Sequence, residues 1–215
     1  MIIALDGPSG VGKGTLGRSL ASHYHLAFLD TGLLYRKVGL YVLENGKNPD
    51  SEQDALEGVQ FLKFDAKDDH KLRTEVVGQA ASKVAAHLSL RQALLEWQRN
   101  FAHQHTSEYQ GAILDGRDIG TVVLPDADIK IYLTAHTETR AERRFEELKA
   151  RGESLTFDQV LEDVKARDRR DQSRQHSPLH PAQDAFILDT SFLSKEEVLE
   201  RVISHIEKST KKDYL

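Results

Sequence analysis

Short apolar runs alternate with longer amphipathic stretches along the chain. The runs predict five buried strands, at residues 2–5, 27–29, 112–114, 129–133 and 186–188. The stretches between them carry apolar residues at helical spacing. Helices that alternate with buried strands are typical of a parallel sheet with helices on both faces. We therefore expect an α/β protein built in three layers.

Local patterns predict helix starts and loops. A serine or threonine followed three residues later by glutamine or glutamate predicts a capping box, and the pairs here are Ser89 with Gln92, Thr156 with Gln159, and Ser194 with Glu197. Beyond Ser89, an apolar stripe predicts core packing and no function for its tryptophan: Leu90, Leu94, Trp97 and Phe101. Residues 45–54 predict a loop and residues 64–71 an exposed turn.

A glycine-rich turn separates the first predicted strand from the first predicted helix. This phosphate loop reads Gly7-Pro8-Ser9-Gly10-Val11-Gly12-Lys13-Gly14-Thr15. Its glycines let backbone N–H groups curl around a phosphate group, and the N-terminus of the next helix attracts the same anion. Lys13 adds an ammonium group for the β- and γ-phosphates, and Thr15 offers a hydroxyl group to Mg²⁺. The loop therefore predicts binding of a nucleoside triphosphate.

The phosphate loop departs from the common G-x-x-x-x-G-K-[ST] pattern. Gly14 stands where serine or threonine is expected, and Thr15 follows it. This variant is the form found in nucleoside monophosphate kinases. A turn that merely joins a strand to a helix is the alternative, but it leaves the lysine and threonine at the helix start unexplained.

Composition excludes several classes of function. The 215 residues fit one domain, and the formal charge of −5 argues against general binding of nucleic acids. The absence of cysteine excludes disulfides and zinc–cysteine sites. No apolar run approaches the roughly 20 residues that span a bilayer, and no signal peptide is evident. We expect a cytoplasmic protein without membrane or nucleic-acid partners.

Polar residues follow the second and third predicted strands. The second strand leads into residues 30–32 (DTG), with Arg36 in the next helix, and the third leads into residues 115–118 (DGRD). Ligands of open parallel sheets bind at the carboxyl ends of the strands, so these residues should share one cleft with the phosphate loop. A helix cap with a surface arginine, and a structural Arg–Asp pair, stay open as alternatives.

Arginines concentrate on two later predicted helices. The first group is Arg140, Arg143 and Arg144, and the second shares one helix face as Arg167, Arg170, Asp171 and Arg174. A guanidinium group binds phosphate oxygens through two hydrogen bonds. In phosphoryl transfer such arginines stabilise charge on the transferred group and close over it as a lid. A charged solvent face is the alternative.

With these motifs the chain resembles the bacterial cytidylate kinases, which belong to the nucleoside monophosphate kinase family of P-loop proteins. The resemblance spans residues 3–203 and rests on the segments DGPSGVGKGT, LDTGLLYR, LRTEVVGQAASKVAAHLSLRQALLEWQR, DGRDIGTVVLPDADIKIYLTA, RDRRDQSR and DAFILDTSFLSKEEV. It implies transfer of the γ-phosphoryl group of ATP to CMP or dCMP, giving ADP and CDP or dCDP, with Mg²⁺. It also implies a monomer.

The resemblance implies a P-loop kinase fold with a five-stranded parallel sheet in the order 2-3-1-4-5. Within a single domain, it implies a core at residues 1–36, 110–150 and 176–215, a monophosphate-binding segment at 37–109, and an arginine-rich lid at 151–175. Between residues 64 and 72 the chain is shorter than the family pattern. The shortened insert bears on how the segment closes over the monophosphate and rejects UMP.

The resemblance also implies roles for individual residues. Catalysis would use Lys13, Arg117, Arg167 and Arg174, and Arg143 would join the phosphate loop in binding ATP. The cytosine edge would meet Ser82, Arg91 and Asp118, with Thr31 close by. The acceptor phosphate would meet Arg36, Arg117 and Arg174, and the ribose would meet Arg167 and Asp171. Cytosine presents an amine donor beside two acceptors, so Asp118 and Ser82 can accept hydrogen bonds while Arg91 donates.

Two other functions stay open at this point. One is a kinase for a different small acceptor, such as UMP, AMP or shikimate. The other is a nucleotide-gated binding module without any acceptor, although that function leaves the second arginine group and Asp118 unexplained.

Overall fold

The computed structural model describes residues 1–62, 70–104 and 108–212, with side chains as far as residue 209. Five parallel strands form one sheet in the order β2-β3-β1-β4-β5. Their bounds are β1 Ile2–Asp6, β2 Ala27–Asp30, β3 Ala112–Asp115, β4 Ile129–Thr134 and β5 Phe186–Asp189. The predicted strands and the predicted order are confirmed.

Each strand extends one residue beyond its predicted end. The added residue is polar in every case, yet it continues the ladder, as when Asp30 and Leu5 both pair with Asp115. The sequence pattern ends where the apolar run ends, whereas the backbone pairing continues to the cleft edge. Four carboxylates therefore stand on the sheet itself, at Asp6, Asp30, Asp115 and Asp189.

The described part of the chain contains eight α-helices. They are α1 Lys13–Tyr24, α2 Gly32–Glu44, α3 Glu52–Gln60, α4 Glu75–Val84, α5 Leu88–His103, α6 Thr137–Ala150, α7 Phe157–Ser173 and α8 Lys195–Lys212. A 3₁₀ helix at His70–Arg73 precedes α4, and a π-helical turn at Ile119–Val123 follows β3. Among these described helices, none combines the length and the apolar character needed to cross a membrane.

Alternate residues of the central strand face opposite layers. Ile3 and Leu5 pack in one core with Leu20 of α1 and Val202 of α8. Ala4, between them, packs in a second core that includes Ala102 of α5. Side chains of a strand point to opposite faces with a period of two. The predicted three-layer arrangement is confirmed.

Two smaller apolar cores are formed mainly by helices packed against one another. Helices α2, α3, α4 and α5 share a core that includes Val38, Ala55, Ala81 and Leu94. Helices α6 and α7 share another, made by Ala141, Leu148, Val160 and Val164. Trp97 packs against both the α2–α5 core and the sheet, in agreement with its predicted structural role.

Two of the three predicted capping boxes are present. Thr156 and Gln159 exchange both hydrogen bonds at the start of α7, and Ser194 and Glu197 do the same before α8. The prediction for Ser89 is wrong, because α5 already begins at Leu88 and the Ser89 hydroxyl donates instead to Glu52 of α3. A tertiary partner has replaced the local one.

The two predicted irregular segments differ in part from the structure. Helix α3 begins at Glu52, where the Ser51 side chain accepts a hydrogen bond from the Asp54 N–H group, so residues 52–54 are helical and not part of a loop. Of the predicted turn at 64–71, residues 64–69 lie outside the described residues, and residues 70 and 71 begin the 3₁₀ helix.

The predicted division into core, monophosphate-binding segment and lid stays a prediction. Helix α2 runs through the predicted boundary at residue 36. The boundary at residue 150 falls at the end of α6, which shares an apolar core with α7. We therefore describe α6 and α7 together as the lid hairpin.

The packing of α2 on α4 leads to a prediction about Gly39. A Cβ atom added there would lie 2.9 Å from the backbone nitrogen of Ala81, and a backbone atom cannot move aside as a flexible side chain does. We expect Gly39→Ala to lower the free energy of unfolding by about 1–3 kcal/mol, despite a helix-propensity gain of about 1 kcal/mol. Urea unfolding measures this difference, and an unchanged midpoint would contradict the close approach of the two helices.

Candidate active site

A cleft of about 580 Å³ lies at the carboxyl ends of β1, β2 and β3. Of the residues predicted from the sequence, those that line it are Ser9, Gly10, Val11, Gly12, Lys13, Gly14, Thr15, Asp30, Thr31, Gly32, Arg36, Ser82, Arg91, Asp115, Gly116, Arg117, Asp118, Arg143, Arg144, Arg167, Asp171 and Arg174. Gly7 and Pro8 connect β1 to this lining without forming part of it. The fold therefore gathers residues that are far apart in sequence around one cavity.

The phosphate loop wraps around the N-terminus of α1. Gly10 and Gly12 have φ angles of 76° and 100°, in the left-handed region that glycine tolerates best. Gly12 caps the helix without a side-chain hydrogen bond, and the first turn holds no acidic residue. The N–H groups of that turn therefore lack an internal acceptor, which is the arrangement that binds anions at helix N-termini.

Lys13 lies at the inner end of the loop, beside a carboxylate of the sheet. Its ammonium group donates to the carbonyl oxygen of Pro8 at 2.9 Å and stands 3.9 Å from Asp115. Burial lowers the pKa of Lys13, and the charge of Arg117 lowers it further. Burial likewise raises the pKa of Asp115. An anionic phosphate group beside Lys13 would stabilise its charged form.

A buried ion pair closes the opposite end of the cleft. Arg91 of α5 pairs with Asp118 at 2.6 Å, and both side chains are almost fully buried. Arg91 also donates to the carbonyl oxygen of Ala85 and lies over the ring of Tyr35 at 5.4 Å. Its Nε atom is buried without a hydrogen-bond partner. A buried donor without a partner costs about 1–3 kcal/mol, so a ligand acceptor is favoured here.

Ser82 and Thr31 lie near this pair, and both hydroxyl groups already have protein contacts. Thr31 donates to the carbonyl oxygen of Asp115 at 2.7 Å, which ties the start of α2 to β3. The oxygen of Ser82 accepts from Arg170 of α7 at 3.2 Å. Each oxygen keeps further hydrogen-bonding capacity, because a hydroxyl group has two lone pairs and one hydrogen.

Asp171 organises the arginines between the two ends of the cleft. Its carboxylate accepts from Arg117 at 2.9 Å and from Arg174 at 2.5 Å, and the residue is only 1% exposed. Burial acts to raise its pKa, but the charges of Arg117, Arg174 and Arg167 outweigh burial and lower the pKa to about 2. The Arg117–Asp171 pair joins the segment after β3 to the lid hairpin.

The remaining arginines of the cleft carry more positive charge than the protein compensates. Burial first, and then Arg144 and Arg73, lower the pKa of Arg36 to about 10. Burial and the charge of Arg117 lower the pKa of Arg167 to about 9. The Nε atoms of Arg167 and Arg174 are buried without hydrogen-bond partners. Several cations that repel one another across a cavity form a site for a multiply charged anion.

Asp6 is a residue whose role the sequence analysis missed. Its carboxylate accepts from the N–H groups of Ile119 at 2.9 Å and Gly120 at 2.8 Å, which fixes the turn that carries Arg117 and Asp118. Burial raises the pKa of Asp6 to about 6. The signal was present, since Asp6 is a charged residue at the end of an apolar strand and directly precedes the phosphate loop.

The first arginine group divides into three different environments. Arg140 does not line the cleft, which corrects its predicted lid role: it is 4% exposed, pairs with Asp168 at 2.6 Å and donates to the Ser9 carbonyl oxygen. Arg143 lines the cleft and donates to the hydroxyl and carbonyl oxygens of Thr190. Arg144 lines it too and pairs with Glu75 of α4 at 2.8 Å.

Comparison with known proteins decides the family. The family model described as cytidylate kinase matches residues 3–208. The chain belongs to the cytidylate kinase family. The resemblance predicted from the sequence motifs is confirmed, and the match spans the phosphate loop, the buried ion pair and the lid hairpin of this family member.

Named relatives agree with the family match. A cytidylate kinase from Azorhizobium caulinodans is 48% identical over 209 residues, covering 97% of this chain and 99% of that protein. One from Brucella suis biovar 1 is 49% identical over 195 residues, with coverage of 91% and 87%. One from Bartonella tribocorum is 45% identical over 206 residues, with coverage of 96% and 94%.

Solved structures share the fold at low sequence identity. An uncharacterized protein from Eubacterium ventriosum has a TM-score of 0.54 at 16% identity, with 97% of this chain and 98% of that chain covered. A gluconokinase from Sinorhizobium meliloti has a TM-score of 0.51 at 13% identity, with coverage of 99% and 94%. At these identities the similarity supports the fold alone.

The lowered pKa of Asp171 leads to a prediction about acid stability. The folded-state value of about 2 lies below the ordinary 3.8, so the stabilisation by this carboxylate is complete above the ordinary value and is lost as the pH falls through about 2. We expect the difference in unfolding free energy between wild type and Asp171→Asn to shrink by roughly 2 kcal/mol over that range. Urea unfolding at several pH values measures it.

Asp126→Asn is the matched control for this titration, because Asp126 is exposed. Its difference from wild type should stay small at every pH. A difference for Asp171→Asn that does not change between pH 5 and pH 2 would contradict the charge coupling to Arg117 and Arg174.

Proposed function

We propose that the cleft catalyses transfer of the γ-phosphoryl group of ATP to CMP or dCMP, giving ADP and CDP or dCDP. The observation that carries this proposal is the arrangement of the cleft lining: the phosphate loop at one end, the buried Arg91–Asp118 pair at the other, and the arginine cluster between them. The names of the relatives support the same acceptor class. We further propose that the protein works as a monomer in the cytoplasm.

The donor nucleotide would bind at the phosphate loop. Backbone N–H groups at the start of α1 suit the β- and γ-phosphates, and Lys13 adds a cation that can follow the phosphoryl group as it moves. Arg143 lines the cleft from the middle of α6 and donates to Thr190. This position suits contact with the donor nucleotide.

The donor set beside Lys13 fits a magnesium ion. Thr15 is an exposed residue in the first turn of α1, and both Thr15 and Asp115 line the cleft. Mg²⁺ is usually held by one or two protein oxygens, substrate phosphates and waters, so a cage of several carboxylates is not required. When bound with ATP, the ion supplies charge neutralisation on the β- and γ-phosphates.

The acceptor phosphate would bind in the arginine cluster. Arg36, Arg117 and Arg174 surround the middle of the cleft and would orient the attacking oxygen in line with the donor. A phosphate monoester has a second pKa of about 6, so its dianion attacks at pH 7 without a separate general base. Arg167 would add positive charge near the transferred phosphoryl group. Together with Lys13 it would stabilise the negative charge of the transition state.

The acceptor base would lie against Arg91, Asp118 and Ser82. Cytosine places an amine donor next to two acceptors, and Asp118 can accept from the amine while Arg91 donates from its unpartnered Nε atom. Uracil has a carbonyl oxygen in place of the amine and would face the Asp118 carboxylate. Such unmatched contacts cost about 1–3 kcal/mol each, which favours CMP over UMP.

The lid hairpin would complete the site around the sugar. Asp171 points between Arg117 and Arg174, where each carboxylate oxygen keeps a lone pair for the ribose hydroxyl groups. Arg167 and Asp171 lie on α7, so contact with the acceptor requires this helix to lie over the cleft. Exclusion of water by the hairpin would limit hydrolysis of ATP.

The first test is ADP formation from Mg-ATP with CMP, dCMP, UMP, AMP, GMP and shikimate as separate acceptors. We expect strong turnover with CMP and dCMP and at least about tenfold lower kcat/KM with the others, since unmatched contacts cost about 1–3 kcal/mol each and about 1.4 kcal/mol corresponds to a factor of ten. Equal kcat/KM values for UMP and CMP would contradict the proposal that the base contacts favour cytosine. ATP binding without acceptor-dependent turnover would favour a binding module instead.

Asp118→Asn tests the base contact more sharply than replacement by alanine, which would leave Arg91 buried without its counter-ion. The asparagine amide keeps the size of the carboxylate but presents a donor to the cytosine amine. We expect the KM for CMP to rise by about tenfold, the KM for ATP to change little, and the preference for CMP over UMP to narrow. Asp126→Asn, at an exposed position, should leave all three unchanged. An unaltered CMP profile would remove Asp118 from base recognition.

A further inference from the structure

Arg170 differs from the other arginines of α7 in where its side chain points. Arg167 and Arg174 line the cleft, whereas Arg170 does not. Its guanidinium group crosses from the lid hairpin to α4, where Nε donates to the Ser82 hydroxyl oxygen at 3.2 Å and Nη2 donates to the side-chain oxygen of Gln79. Both acceptors are neutral, so the contact is not an ion pair.

The Gln79 contact fixes the plane of the guanidinium group. Gln79 lies one helical turn before Ser82 on the same side of α4, and the planar fork of an arginine can engage both residues at once. Donation to Gln79 therefore aims the Nε–H group at Ser82. A lysine at this position would carry the charge but could not make the same pair of contacts.

Gln79 is itself held in one orientation. Its amide nitrogen donates to Glu75 at 3.0 Å, which leaves the amide oxygen for Arg170. The other oxygen of Glu75 accepts two hydrogen bonds from Arg144 of α6, at 3.1 Å and 2.8 Å. Both helices of the lid hairpin thus contribute to the chain of hydrogen bonds that ends at Ser82.

Donation from Arg170 determines what Ser82 can offer to the cleft. A hydroxyl oxygen has two lone pairs, and Arg170 uses one of them, so the second lone pair and the hydrogen remain for a ligand in defined directions. Ser82 is 2% exposed, and its oxygen therefore cannot exchange this partner readily for solvent. Without Arg170 the direction of the hydroxyl group would lose this constraint.

We propose that Arg170 is a specificity-positioning residue, which orients the Ser82 hydroxyl group toward the acceptor base from the lid hairpin. The inference rests on the proposed function, in which Ser82 meets cytosine. It adds a physical link between the lid and base selection, because Ser82 has its Arg170 partner only while α7 lies against α4. The base is then read by α4 and by the lid together.

The test is the kinetics of Arg170→Met, which keeps an unbranched stem and removes the guanidinium donors. We expect the KM for CMP to rise by about tenfold and the preference for CMP over UMP to fall, with kcat and the KM for ATP within about twofold of wild type. Arg170→Lys, a milder change, should shift the KM for CMP in the same direction. Arg169→Met, at an exposed neighbouring position of α7, is the matched control and should match wild type.

A double-mutant cycle with Ser82→Ala separates positioning from general damage. If Arg170 acts through Ser82, then Arg170→Met should raise the KM for CMP by less than about twofold in the Ser82→Ala background. An equal rise in both backgrounds would overturn the proposal. So would a loss confined to kcat, or an Arg170→Lys protein with wild-type selectivity.

The same measurements separate this inference from the proposed function. A wild-type protein that does not use CMP would overturn both. A wild-type protein that prefers CMP, with Arg170 variants that behave like Arg169→Met, would overturn the inference alone. Thermal unfolding of each variant identifies a mere loss of folding, in which case Arg170→Lys carries the test.

Discussion

The burial of cationic side chains around one cleft is the constraint on which the rest of this structure depends. Lys13, Arg36 and Arg167 all have lowered pKa values, because burial and neighbouring cations both disfavour their charged forms. Such burial costs several kcal/mol per ion unless it is compensated. Asp115 and Asp171 offset part of this cost, and an anionic ligand would offset more. The site is therefore unfavourable for the protein alone and favourable with nucleotide phosphates.

The scaffold withstands this repulsion because each charged segment is tied to the apolar core. Asp6 fixes the turn after β3 through two backbone N–H groups, and Arg140 joins the phosphate loop to both helices of the lid hairpin. Neither side chain lines the cleft. They bear the same kinds of charge as the ligand-facing residues, yet their hydrogen bonds are satisfied within the protein. Charged residues that stabilise the scaffold therefore differ from charged residues that line the cleft in their position and hydrogen-bond partners, and not in residue type.

The sequence predicted what depends on local patterns and missed what depends on tertiary partners. The five strands followed from apolar runs, and the phosphate loop followed from its glycines and Lys13. Arg140, Arg143 and Arg144 looked alike in sequence, and helical periodicity places all three within about 100° of one another around α6. Their tertiary partners separate them, since Arg140 is buried against Asp168 whereas Arg143 and Arg144 line the cleft. The partner of Arg117 was equally hidden, because Asp171 lies 54 residues away.

Two parts of the cleft contribute differently to the binding of the acceptor: its middle provides affinity, and its base end provides specificity. The phosphate-facing middle carries excess positive charge and attracts any nucleoside monophosphate, so it cannot distinguish one base from another. At the base end the charges of Arg91 and Asp118 cancel, and discrimination there rests on hydrogen-bond directions. Screening by salt weakens long-range attraction between exposed charges far more than contacts inside a buried pair. Recognition of the base should therefore depend less on salt concentration than attraction of the phosphate does. The partly buried contact between Arg170 and Ser82 gives the part of base recognition that involves the lid the same property.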